Sequence, residues 1–110
     1  MATATFLQRG EALDYVNSGD AVIEAGTVVV LGTKIGVAAA DIAAGATGAV
    51  HVEGVFEMPA KSGESAIAQG AAVYWNGTAV TAASSGATLA GYAAAAMTAG
   101  AEKILVKINA

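Results

Sequence analysis

The chain has 110 residues, a net charge of −4, a pI near 4.6 and no cysteine. That length serves one domain and is short for two cores, and without cysteine there is neither a disulfide framework nor a thiolate metal site. The five Lys and Arg are scattered, so no basic patch neutralises phosphates, which excludes nucleic acid as a direct ligand.

Residues 1–10 carry Thr3, Thr5, Phe6, Leu7, Gln8 and Arg9 without a sustained period. They read either as a frayed terminus or as an extended arm that adds a strand to another chain. No basic region followed by an apolar block opens the sequence, so no secretory signal is expected. The expected organisation is an arm over 1–10 and one β domain over 11–110.

Residues 13–16 form a short apolar stretch stopped by the turn cluster Asn17-Ser18-Gly19-Asp20. Residues 21–23 resume it and Gly26 turns. Residues 27–31 are a continuous, largely β-branched run that predicts a buried strand. Gly32 and Thr33 then connect to a hairpin partner over 34–38. Residues 39–46 are ambiguous, because Ala favours a helix but the segment is too short to nucleate one.

Residues 47–59 have the clearest alternation in the chain. Val50, Val52, Phe56 and Met58 point one way, with Gly54 in register; His51, Glu53 and Glu57 point the other way. This predicts one long strand, packed on one side and wet on the other, with Gly54 marking a bulge or bend. A polar loop over 60–65 follows. Residues 72–75 and 78–81 flank Asn76-Gly77, which predicts a hairpin with a type I′ turn. Residues 82–88 are a small-residue loop, and 89–96 begin as a strand and end in a loop or a single helical turn. Residues 103–109 form a half-buried strand with Ile104, Val106 and Ile108 on one face.

A local unit recurs: Ile23, Ile42 and Ile67 each open an Ile-x-x-Gly run that precedes a strand. It reads as an Ile anchor at a barrel rim followed by a Gly in a conformation other residues resist, or as chance in an Ala- and Gly-rich chain. The spacing is too irregular for a solenoid. Short strands, frequent Gly turns and no amphipathic helix predict an all-β domain, a small barrel or sandwich. Mean hydropathy is +0.59, yet every apolar run is broken well short of the ~20 residues a spanning helix requires. Hydrophobic residues are 55% of the chain and aromatics 5%. Such a thin core of Ala, Val and Ile gains from pooling surface in a homo-oligomer.

Catalytic and metal chemistry finds little footing. His51 is the only histidine, and with Glu53, about 7 Å away on the same wet face, it reads as a solvated pair. Glu53 and Glu57 lie about 13 Å apart on an extended strand, beyond the spacing of glycosidase carboxylates. No Gly-x-Ser-x-Gly elbow is present. Lys61-Ser62 ends like a phosphate loop, but Ala60 and Val55 stand where its glycines belong. No catalytic residue, cofactor or metal site is therefore predicted. Of Tyr74 and Trp75, alternation turns one inward and the other outward. Trp75 serves either as an interface anchor or as a cap over the barrel mouth.

The order of motifs resembles one family. They are the strand over 26–31, Gly36-Val37-Ala38, Val52-Glu53-Gly54-Val55-Phe56-Glu57-Met58-Pro59, Gly70 leading to Val73-Tyr74-Trp75, Gly91-Tyr92-Ala93 and Val106-Lys107-Ile108. Together they resemble the short cement, or decoration, proteins of tailed-phage capsids over nearly the whole chain. Ala60 departs from the pattern by standing between Pro59 and Lys61. The resemblance implies a small β-barrel of the β-tulip kind, assembled as homotrimers or sometimes dimers on the outer surface of the head. There it bridges major capsid protein subunits and stiffens the shell, with no catalysis, no direct nucleic acid and no membrane. The residues expected at capsid or subunit interfaces are Thr3, Thr5, Phe6, Leu7, Gln8, Arg9 and Trp75. Members are often labelled as predicted phage recombinases, a label for which this chain has neither a phosphate loop nor a basic face. The alternative is a small β-module that recognises carbohydrate or a host surface through exposed aromatics.

Overall fold

The computed structural model describes residues 4–5 and 10–110. Nine strands form two antiparallel sheets, with no helix among the described residues. The strands are β1 (Ala12–Val16), β2 (Val28–Leu31), β3 (Lys34–Ala38), β4 (Thr47–His51), β5 (Val55–Pro59), β6 (Ala72–Trp75), β7 (Val80–Thr81), β8 (Thr88–Ala93) and β9 (Lys103–Ile108). The first sheet runs β1-β4-β3-β2 and the second β5-β9-β8-β6-β7. One parallel bridge, Ala60 to Val80, reaches across the far edges of the second sheet, and the Lys61 N–H donates to the Val80 carbonyl at 2.8 Å. The result is a small β-sandwich; that single bridge is not a ladder, and among the described residues neither sheet closes into a barrel.

The two sheets repeat one plan. β1 pairs with β4, β4 with β3, and β3 with β2; likewise β5 pairs with β9, β9 with β8, and β8 with β6. The agreement extends to single hydrogen bonds. Ile23 and Ile42 exchange both backbone bonds, as Ile67 and Met97 do. Gly26 N–H donates to Ala38 and Gly70 N–H to Ala93, and Val29 faces Gly36 as Val73 faces Gly91. The chain is thus two equivalent units in tandem, with β7 as an addition to the second. The Ile-x-x-Gly run is the corner of this unit, and Met97-Thr98-Ala99-Gly100 is a fourth copy with Met in the anchor position. Gly26, Gly45, Gly70 and Gly100 all take φ between 75° and 87° there, a region in which a Cβ is strained.

Two expectations fail at turns. Residues 47–59 are not one strand: β4 ends at His51, β5 begins at Val55, and the two lie in different sheets. Gly54 at φ 124° turns the chain out of the first unit into the second, and alternation continues in phase on either side of it. The hairpin after Trp75 forms, but Trp75 faces Val80, so its loop has four residues and is not type I′. The Asn76 side-chain oxygen accepts from the N–H groups of Thr78 and Ala79 at 2.9 and 2.8 Å, which organises the wider loop. The expectation of a buried strand over 27–31 also needs correction, because Val30 is 46% exposed at the sheet edge.

The units differ in how much they bury. The larger core joins Met58, Val73, Trp75, Ile104, Val106 and Ile108 of the second sheet to Ile35 and Val37 of β3. The smaller one consists of Val29, Ala38, Ile42 and Val50, flanked by Tyr15, Ile23, Leu31 and Val52. Ile104, Val106 and Ile108 are all buried, as their spacing predicted. Asn109 stitches the sheets together. Its amide donates to the carbonyls of Ile35 (2.7 Å) and Val52 (3.0 Å), and its side-chain oxygen accepts from the Ile35 N–H (3.1 Å). It is the one non-glycine among the described residues with positive φ, at 57°.

Candidate functional site

No constellation for bond chemistry assembles among the described residues. The His51 ring lies against Phe56, with centroids 5.8 Å apart and planes tilted by 38°. Simple alternation put these two side chains on opposite faces; the turn at Gly54 brings them together. Glu53 and Glu57 are exposed, and no three His, Asp or Glu side chains among the described residues are grouped to hold a metal ion. Lys61-Ser62 lies in a turn after β5 and opens no helix.

Of the residues expected at interfaces, Thr5 is exposed. Thr3, Phe6, Leu7, Gln8 and Arg9 lie outside the described residues. Trp75 is 9% exposed and packs in the larger core, so of the adjacent aromatic pair it is the inward member and Tyr74 the outward one. β7 explains part of this burial, since Val80, fully buried, lies directly opposite Trp75 in the ladder.

Two stretches of apolar surface stand out, besides the exposed Val16, Val22 and Val30. On the first unit, Leu13, Leu31 and Val52 border an open groove of about 380 Å³, with Lys34 and Asn109 completing its lining. The groove opens where β3 and the end of β4 diverge, and the Asn109 amide spans that gap between Ile35 and Val52. On the second unit, the sheet face turned away from the core carries Val55, Leu89 and Leu105, each at least 40% exposed, with Tyr74 and Tyr92 half-buried beside them. Register holds these side chains in rows: Val55 and Tyr92 flank Lys107, Leu105 faces Glu57, and Tyr74 faces Leu89. Exposed apolar side chains grouped on one face, here interleaved with Lys107 and Glu57, suit contact with other macromolecules. Alternation along β8 gave no signal for this face: Leu89 and Tyr92 are three residues apart and share it only because the β6–β8 ladder shifts register between Val73 and Tyr74.

Compared with known proteins, the chain matches the family model described as phage cement protein over residues 7–108. No curated protein and no solved structure gave a significant match.

Proposed function

The chain belongs to the phage cement protein family, a structural family of phage capsids, and on that premise we propose that it binds the outer surface of an assembled head. There it bridges neighbouring major capsid protein subunits and stabilises the shell without catalysis. It acts as a homo-oligomer, a trimer in preference to a dimer. Thr3, Thr5, Phe6, Leu7, Gln8 and Arg9 serve as the arm that reaches the shell, by adding a strand to a neighbouring chain. The observation that carries this reading is the family match over almost the entire chain. The exposed apolar face of the second sheet supports it, since adhesion needs surface and no reacting group. Trp75 contributes through the core rather than by direct contact, and its burial removes Trp75 from any carbohydrate-binding platform.

The test is attachment. Purified protein mixed with expanded, undecorated heads should sediment with them at a fixed stoichiometry and raise the temperature at which they rupture. Heads that sediment bare at saturating protein refute the proposal.

A further inference from the structure

The repeated plan of the two units shows what fits over the apolar groove. In the second unit, the positions equivalent to Leu13, Leu31 and Val52 are Phe56, Trp75 and Ile108, by their places in the matching ladders. There they are covered: Trp75 and Ile108 lie in the larger core and Phe56 borders it, the core that Ile35 and Val37 of β3 enter and Val28 of β2 packs against. In the first unit the same positions stand open, with Leu13 42% exposed.

The covering element has an equivalent too. Ile35 corresponds to Leu89 and Val37 to Tyr92, with Val30 corresponding to Tyr74, because Val30 faces Ile35 as Tyr74 faces Leu89; the second unit holds one extra residue, Ala90, in a bulge between Leu89 and Gly91. In the first unit Ile35 and Val37 are spent on covering the second, while Val30 stays exposed at the sheet edge. In the second unit the face is free: Leu89 is 41% exposed and Tyr74 and Tyr92 are half-exposed. One molecule therefore carries an unused donor face and an unused acceptor groove, both bordered by Lys34, of the same two kinds that already pack together inside it.

We infer that the Leu89–Tyr92 face of one copy docks into the Leu13–Leu31–Val52 groove of the next copy, head to tail, repeating between chains the contact that Ile35 and Val37 make within each chain. The occupant of the groove is a second copy of this chain, because the intramolecular contact is a worked example of the fit. Such a contact is heterologous, with different patches on the two partners, so it propagates until a ring closes. Every chain adds two units, and a closed trimer would set six equivalent units about one axis. Within the chain, the residue that meets Ile35 is Asn109, whose first-unit equivalent is Glu53. Leu89 of one copy consequently lies against Glu53 of its neighbour.

The inference concerns self-association and is tested without any shell, so its failure and a failure of attachment are separate results. Leu89→Arg disables the donor face and Leu13→Arg the acceptor groove, and both residues are already two-fifths exposed, which spares the fold. By light scattering after size exclusion, the wild type should be an oligomer and each variant a 10.6 kDa monomer. An equimolar mixture of the two variants should give a dimer of twice that mass, because one intact donor still meets one intact groove. Variants that stay monomeric when mixed, or that each keep the wild-type mass, overturn the inference. A second readout does not depend on these charges. Glu53→Cys and Leu89→Cys chains, purified separately in a background with no other cysteine, should form a mixed disulfide dimer on oxidation. Glu53→Cys alone should form none. Equal cross-linking in both samples, or none in either, overturns the head-to-tail arrangement.

Discussion

Replacing Asn109 with Ala should cost more than any other single substitution of a partly exposed side chain in this protein. The side chain makes three hydrogen bonds to backbone groups of the first unit, at 2.7, 3.0 and 3.1 Å. Each is worth about 1 kcal/mol net. The groove beside Asn109 is open, so water can reach the groups left behind and the loss should sit near the sum of the bonds rather than above it. A positive φ of 57° adds a second cost, because Ala in the left-handed region loses about 1 kcal/mol that Asn largely avoids. The expected total is about 4 kcal/mol. With a urea m-value of about 2 kcal/mol/M for a chain of this size, the midpoint should fall by about 2 M. Asn109→Gly separates the two terms: it loses the same bonds without the backbone strain, so it should be less destabilised than Asn109→Ala by about 1 kcal/mol. Urea titrations followed by circular dichroism, at one protein concentration to hold association fixed, read both shifts. An Asn109→Ala midpoint within 0.3 M of wild type, roughly a half kcal/mol at that slope, would refute the claim that this amide holds the sheets together.

Gly91→Ala should fail to fold, because its Cβ would fall inside the Lys107 carbonyl and the residue sits at φ 144°. Gly32→Ala, strained at φ 65° but facing open space, should lose only about 1–2 kcal/mol by thermal melt. Ile108→Ala empties a buried site in the larger core and should cost about 2–5 kcal/mol, read by the same urea titration. Deleting residues 1–10 should weaken attachment to heads while leaving the melting temperature of the soluble protein unchanged. A truncated protein that decorates heads normally removes the arm from the mechanism.

Where a strand covers one side of a sheet, its sequence announced it: Ile104, Val106 and Ile108 alternate with Lys103, Leu105 and Lys107, and the set without a charged member is the buried one, although Leu105 stays exposed. The break at Gly54 was less legible, because alternation stays in phase through it and a period-two reading cannot distinguish a bend from a change of sheet. The corner motif was visible in three copies and hidden in the fourth, where Met97 does the work of Ile with a different branching. The duplication itself escaped because few equivalent positions keep their residue. The survivors, such as Gly36 and Gly91, or Val50 and Val106, are held by close approach or by burial. The connection from β6 to β8 also carries β7, which shifts the numbering of everything after it relative to the first unit. Trp75 followed alternation inward, but which of Tyr74 and Trp75 that would be depended on a sheet partner that sequence does not specify.

The disparity between the two cores sets the order in which the chain comes apart. β1 and β4 lean on a cluster of four buried side chains, whereas the second sheet shares thirteen among the described residues. Local opening draws on the part with the least buried apolar contact, so amide protons of β1 and β4 should exchange with solvent well before those of β8 and β9. A molecule built this way is a firm plug with one loose end, and the loose end is the one that the leading residues of the chain run into.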